Sequence, residues 1–359
     1  MKRTVILLLS LFALTSLHAE ELAPTQADFT IRNFKFASGE TLRELRIHYR
    51  TVGKLQRDKR GVAQNAVLIL HGTGGSGTQF MRPEFAEQLF VEDGALDPER
   101  YFIILPDGIG HGQSSKPSDG LHAKFPRYGY ADMVEAQHRL VTEGLKIDHL
   151  ALVLGTSMGG MHTWVWGERY PDFMDALMPL ASLPTQISGR NRAWRRTAID
   201  AIRNDRDWKG GDYSTQPAGL RTAQQILFLM GSSSTLRQQQ MGTLAESDKV
   251  FDAAVAEAVK SSDANDLLYA LEASHDYDPS PGLEKIKARL IAVNFADDLI
   301  NPPELGILER EVARIPNGRA IVMAASPASR GHGTHTVAAV WKRYLQEIFA
   351  QPGPRVYSR

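Results

Sequence analysis

Short, almost wholly apolar runs recur along the chain, at residues 66–70, 101–105, 150–154, 177–180, 290–293 and 320–323. Runs of this kind suit strands buried on both faces, as in a parallel sheet covered by helices. Nearer the start, apolar and polar positions alternate through Phe29, Ile31, Phe34 and Phe36, then through Leu42, Leu45, Ile47 and Tyr49. With Ser38-Gly39 between them, these two stretches predict an antiparallel hairpin. Met133, Val134, Gln137, Leu140, Val141 and Leu145 fall at helical spacing, with Asp132 and Glu135 placed as a capping box and Gly144 near the end. Strands alternating with helices predict a mostly parallel, doubly wound α/β sheet. The stretch from about Pro184 to Pro281 breaks that rhythm. It carries helix-like segments around 193–202, 218–230, 250–260 and 263–273 and no legible buried strand. Because the strand pattern resumes directly after it, the stretch reads as a helical lid insertion in one sheet rather than a separate small domain. The expected division is a core in two parts, 20–183 and 284–359, interrupted by a lid at 184–283.

The N-terminus follows a different logic. Met1-Lys2-Arg3 is a basic start, residues 5–17 are apolar except for Ser and Thr, and Leu17-His18-Ala19 offers a small residue before Glu20-Glu21. This is the layout of a secretory signal peptide at residues 1–19, and the apolar run is short for a membrane span. The alternative is an uncleaved N-terminal anchor. The expectation is an exported, periplasmic or secreted protein with no integral membrane segment after signal removal.

Composition narrows the chemistry. The 359 residues carry 41 basic and 41 acidic side chains and no cysteine. A balanced charge supplies no electrostatic reason to expect nucleic acid as a partner. Without cysteine there is no disulfide, thiolate metal site or thiol nucleophile.

One pentapeptide then stands out. Gly155-Thr156-Ser157-Met158-Gly159 follows an apolar run and precedes a helical stretch expected at 161–169. A serine on a sharp strand-to-helix turn needs small neighbours for the backbone to fold tightly, and it presents its oxygen above the sheet. The Met158 backbone N–H at the helix start would favour a developing oxyanion. A serine nucleophile needs a base and a group to orient it, both later in the chain. The run at 290–293 leads into Asp297-Asp298-Leu299-Ile300-Asn301-Pro302-Pro303. Asp298 is the preferred acid, because the apolar pair and the prolines after it would lock the loop; Asp297 is the competitor. The last run leads into Gly331-His332-Gly333-Thr334-His335, with His332 as the base candidate and His335 as the fallback. A His-x-x-His metal pair lacks a third ligand at a convincing spacing. His71-Gly72-Thr73-Gly74-Gly75-Ser76-Gly77 follows the first apolar run, where a second oxyanion donor belongs, and Thr73 is the candidate through its backbone. The same glycines match a dinucleotide-binding pattern, but that needs a second buried strand ending in an acid about 20 residues on. Residues 85–91 look helix-like instead. Asp107 and His111, on a glycine-rich loop, read as pocket wall, with Asp107 bonding loop backbone.

From about Phe29 onward the chain resembles the homoserine O-acetyltransferase-like branch of the α/β-hydrolase superfamily. The resemblance rests on Ile47-His48-Tyr49-Arg50-Thr51-Val52-Gly53, Asp132-Met133-Val134-Glu135-Ala136-Gln137, Gly155-Thr156-Ser157-Met158-Gly159-Gly160-Met161, Gly211-Asp212-Tyr213 and Asp298-Leu299-Ile300-Asn301-Pro302-Pro303. It implies an α/β-hydrolase fold with a helical lid, Ser157 as nucleophile, Asp298 as acid and His332 as base. Relatives of this kind often pair through the lid, so a homodimer is compatible with the chain, although nothing in these residues demands one. Two departures matter. The family's aspartate after the catalytic histidine, which holds the homoserine amino group, is Gly333 here. The family's lid arginine, which serves the substrate carboxylate, is Gln224 here, after Gly219-Leu220 and Ala223. Leaving either charge of a zwitterion unmet in a dry pocket costs roughly several kcal/mol, which makes homoserine a poor substrate. Acetyl-CoA, moreover, is a cytoplasmic metabolite. The expectation is a serine esterase acting on a small or medium-sized ester, amide or lactone, a small-molecule acyl substrate, without metal or organic cofactor. The alternatives are an acyltransferase with a different donor or acceptor, C–C bond hydrolysis, and a non-catalytic binding protein on the same scaffold.

Overall fold

The computed structural model describes residues 23–350, so the expected signal peptide at 1–19 lies outside the described residues. Eight strands form one sheet in the order β1-β2-β4-β3-β5-β6-β7-β8. Strands β1 (Thr25–Lys35) and β2 (Thr41–Val52) make the antiparallel hairpin, and β2 pairs antiparallel with β4 (Phe102–Pro106). The other five, β3 (Ala66–Leu70), β5 (Leu152–Thr156), β6 (Ala176–Leu180), β7 (Arg289–Phe295) and β8 (Gly318–Met323), run parallel to β4. The hairpin's burial changes phase between Ile31 and Phe34 because Asn33 takes a left-handed φ of 51° and drops out of the pairing register. Such a residue resets which face the next side chains meet.

The period-2 geometry of a strand sends successive side chains to opposite faces, and the apolar runs serve both. Val67, Ile69, Leu152 and Leu154 enter one buried cluster, and Ala66, Leu68, Leu70 and Val153 enter the other. Helices α1 (Pro83–Leu89), α2 (Tyr130–Arg139) and α3 (Met158–Arg169) lie between these strands in the chain. The start of α2 differs from the expected capping box. Its cap is Gly129, whose N–H donates to Asp132 Oδ2 at 2.9 Å, while Ala37 N–H reaches Asp132 Oδ1 at 2.8 Å. Asp132 therefore ties the helix start to the hairpin, and Glu135 takes no part in the cap. The strand expected at 150–154 is shifted by two residues, and α3 begins directly after Ser157 instead of at Met161.

Between β6 and β7 the chain is helical, through α4 (Gly189–Arg203), α5 (Ala218–Met230), α6 (Ser234–Gln240), α7 (Leu244–Lys260) and α8 (Ala264–Glu272). Helix α9 (Ile307–Val312) precedes β8, and α10 (Ala338–Ala350) follows it. No helix among the described residues is long and apolar enough to cross a membrane.

Candidate active site

The sheet order turns at β3: β4 lies on one side of it and β5 on the other. Loops past the C-terminal ends of strands beside such a reversal form a crevice. Four of those loops supply the candidate residues, after β3 (Thr73), β5 (Ser157), β7 (Asp298) and β8 (His332).

Ser157 sits between β5 and α3 at φ 56° and ψ −113°, a conformation that L residues rarely adopt. The neighbouring glycines permit it. A Cβ on Gly159 would come within 1.9 Å of the Leu70 carbonyl oxygen, and one on Gly155 within 1.9 Å of the Gly159 carbonyl oxygen. The elbow is thus packed against β3 with no room for a methyl group. Gly72 passes so close to the serine that its Cβ would lie 3.3 Å from Ser157 Cβ. Met158 opens α3, so its N–H is one of the free donors of the first turn.

His332 Nε2 lies 2.8 Å from Ser157 Oγ, and His332 Nδ1 lies 2.8 Å from Asp298 Oδ2. An ionised carboxylate only accepts. Nδ1 therefore carries the ring proton and Nε2 accepts from the serine hydroxyl. Asp298 is fully buried and held by three further donors: Oδ1 accepts from Ile300 N–H (2.8 Å) and Asn301 N–H (3.1 Å), and Oδ2 accepts from Asn301 Nδ2 (3.1 Å), which also donates to Ala181 O (2.9 Å). Burial acts to raise this carboxyl, but His332 and the Asn301 bonds outweigh it and hold the group below its usual value.

The competing residues have other partners. Asp297 Oδ2 accepts from Gly331 N–H at 2.9 Å, fastening the loop that carries His332. The ring of His335 sits 5.2 Å from that of His332, and burial, with His332 beside it, pulls His335 down to about 3. It stays neutral across the working pH range. No group of three or more metal-ligating side chains occurs among the described residues.

Thr73 lines the cavity above Ser157, on a loop anchored from beneath. His111 Nε2 is 2.9 Å from the Thr73 carbonyl, and His111 Nδ1 is 2.9 Å from the Ile109 carbonyl. His71 Nδ1 donates to Gly72 O at 2.8 Å, while its Nε2 accepts from Gly108 N–H at 2.8 Å. Burial, with His111 close by, draws His71 down to about 4. Asp107 accepts from Gly77 N–H (2.8 Å), Gln113 N–H (2.9 Å) and Arg50 Nη1 (3.0 Å), and the Arg50–Asp107 pair is buried. The backbone role expected for Asp107 is present. The Arg50 pairing and the His111 anchor under Thr73 were not legible, because each depends on contacts across dozens of residues. The helix-like stretch is α1, and the next buried strand, β4, ends before Asp107, 30 residues after Gly77 instead of the about 20 of a dinucleotide site, with that carboxylate bonded to Arg50 and the loop.

The cavity over Ser157 and His332 measures about 310 Å³, with Trp194, Arg195 and Leu227 of the inserted helices in its wall. A serine on a strained backbone, lining the cavity and bonded to a histidine that is itself bonded to a buried carboxylate, can accept an acyl group and shuttle its proton.

The profile of the alpha/beta hydrolase fold matches residues 65–323. A probable acyltransferase of Methanothermobacter thermautotrophicus is 33% identical over 279 residues, covering 77% of this chain and 84% of that protein. A homoserine O-acetyltransferase of Chlorobium chlorochromatii is 30% identical over 318 residues, covering 79% and 85%. The solved structure of the acetyl esterase MekB superposes with a TM-score of 0.79 at 26% identity, covering 91% of this chain and 97% of that one.

Proposed function

The chain belongs to the α/β-hydrolase family, in the branch that holds the homoserine O-acetyltransferases, and on that premise we propose that it is an exported serine esterase. The observation that carries the reading is the continuous hydrogen-bonded line from Ser157 Oγ through His332 to Asp298 at the base of the cavity. In the proposed cycle Ser157 attacks the substrate carbonyl while His332 Nε2 takes the hydroxyl proton. The imidazolium so formed is stabilised by Asp298, and the tetrahedral oxyanion by the N–H groups of Thr73 and Met158. His332 then returns the proton to the leaving alcohol. Water, activated by the same histidine, releases the acyl group from Ser157.

Hydrolysis is favoured over acyl transfer to an amino acid by the two departures at Gly333 and Gln224. Gln224 spends its amide on Ser262 Oγ at 2.8 Å, and Gly333 offers no side chain to a substrate ammonium. The proposed export rests on the basic-apolar-small layout of residues 1–19, and the proposed role of the insertion as a lid rests on α4, α5 and α8, which line the cavity through Trp194, Arg195, Leu227 and Leu271.

The test is active-site labelling. A fluorophosphonate should add to the purified protein once, on Ser157 by peptide mapping, and the adduct should be absent in Ser157→Ala and strongly reduced in His332→Ala. With aryl acetates, added alcohols should not divert the acetyl group from water. A folded protein that takes no label, or one that passes acetyl to alcohols in preference to water, would overturn the esterase reading.

A further inference from the structure

Helix α4 places a charge where none is needed for the chemistry above. Arg195 lines the cavity that holds Ser157 and His332, yet only 2% of its surface is exposed. No carboxylate among the described residues lies within ion-pairing distance of it. Its partners are neutral: Nε donates to Asn191 Oδ1 at 3.0 Å and Nη1 reaches Ser274 Oγ at 3.5 Å. A guanidinium carries five N–H donors, so most of its capacity is unspent. Burial pulls the group below its usual value, with the Tyr130 hydroxyl acting in the opposite direction.

Two more buried donors without partners accompany it. Tyr130 Oη faces Arg195 and Thr73 but completes a hydrogen bond with neither, and Trp194 Nε1, also in the cavity wall, has no acceptor. The guanidinium carbon lies 4.9 Å from the Trp194 ring centroid, a contact that holds the planar fork in place. At the rim of the same cavity stand Arg82 and Arg330, against the single carboxylate of Glu84. A buried cation is retained when something anionic compensates it. Unspent donors with no acceptor, in a cavity ringed by arginines, describe an absent acceptor of negative charge. The planar fork matches a carboxylate in bidentate geometry.

We propose that the substrate of this site is an ester bearing a free carboxylate, which Arg195 binds inside the cavity. The proposal rests on the esterase reading. It makes Arg195 a binding residue with no part in proton transfer, so a neutral ester should not register its loss.

The experiment uses two matched pairs: 4-acetoxybenzoate against its methyl ester, with the charge on the leaving group, and mono-p-nitrophenyl adipate against p-nitrophenyl hexanoate, with the charge on the acyl group. The wild type should prefer the anionic member of at least one pair in kcat/KM. Arg195→Met should remove that preference, lowering kcat/KM on the anionic ester by roughly 10–100-fold, mostly through KM, the loss expected for charge-assisted hydrogen bonds. Its rate on the neutral ester should stay within about threefold, a change well below one such bond. Arg195→Lys should restore part of the preference, and adipate should inhibit and raise Tm where adipamide does neither. Equal preference in the wild type and in folded Arg195→Met would overturn the proposal. If Arg195→Met fails to fold, adipate and adipamide acting alike on the wild type would do so. Should Ser157 resist labelling and all four esters survive, the esterase reading fails by itself. In that case a Tm rise with adipate that Arg195→Met abolishes would still support an anion site, and no rise, or one that Arg195→Met keeps, would end it.

Discussion

Replacing Asp298 by asparagine isolates one feature of the proposed machinery, the ring tautomer of His332. Asp298 Oδ1 accepts two backbone N–H groups, from Ile300 and Asn301, which an asparagine would satisfy only by placing its carbonyl oxygen there. Its amide nitrogen must then take the place of Oδ2, facing His332 Nδ1 and Asn301 Nδ2. Two donors cannot face each other, so the imidazole turns its Nδ1 lone pair to the amide and carries its proton on Nε2. That proton points at Ser157 Oγ, 2.8 Å away, and the serine loses its base. The imidazolium of the transition state loses its buried counter-charge as well. An inverted tautomer in a Ser-His-Asp triad lowers kcat by about 10⁴, which is roughly 5 kcal/mol of barrier. Asp297→Asn is the matched control: it touches only the Gly331 N–H and should stay within about fivefold of wild type, the scale of one weakened hydrogen bond. The assay is kcat/KM on p-nitrophenyl acetate, with thermal melts showing that both variants keep Tm within about 5 °C. If folded Asp298→Asn keeps activity within tenfold of wild type, or if Asp297→Asn is the crippled one, the assignment of the orienting acid is wrong.

Three other outcomes follow from the same contacts. Gly159→Ala puts a methyl group where the Leu70 carbonyl lies at 1.9 Å, so the elbow must move by about an ångström; kcat/KM should fall on the order of 10²-fold with a lowered Tm, and an unchanged variant would refute the tight elbow. His111→Phe releases the Thr73 carbonyl and should lower kcat about tenfold with little change in KM, because an oxyanion donor acts chiefly in the transition state; a pure KM effect would count against the loop's role. Asp266, half-buried and bonded to Ser118, has its carboxyl raised to about 6 from 3.8, by loss of solvent above all. The folded state holds this proton more tightly than the unfolded state between those values, so stability is greatest below the window and declines as pH rises through it, on the order of 2 kcal/mol. Urea melts at about pH 4 and pH 7 should therefore show a smaller difference in Asp266→Asn than in wild type, and equal slopes would refute the shift.

The parts of the molecule that were legible in the sequence are those set by local rules. Buried parallel strands announce themselves as unbroken apolar runs because both faces are covered, and a nucleophile elbow announces itself through glycines that a tight turn cannot do without. Order along the chain did the rest: Ser157, Asp298 and His332 could be named because each follows an apolar run, and the structure brings them within hydrogen-bond reach of one another. The misplacements have equally local causes. Asp132 looks like a helix cap paired with Glu135, but its carboxylate bridges the Gly129 and Ala37 N–H groups, and Ala37 is 95 residues away. Arg195 was invisible for a sharper reason. In Asn191-Arg192-Ala193-Trp194-Arg195-Arg196 it is one of several basic residues on an amphipathic helix, where a charge is ordinarily solvated. Helix periodicity alone should have raised the question, since Arg195 falls one residue from Trp194 and four from Ile199, on the stripe that α4 buries with Ala198 and Ile202. An arginine on the buried stripe of a helix, with no acid to meet it, is the signal that the helix packs over something charged. In this molecule that something is absent from the protein itself, and the cavity beside Ser157 is where it would fit.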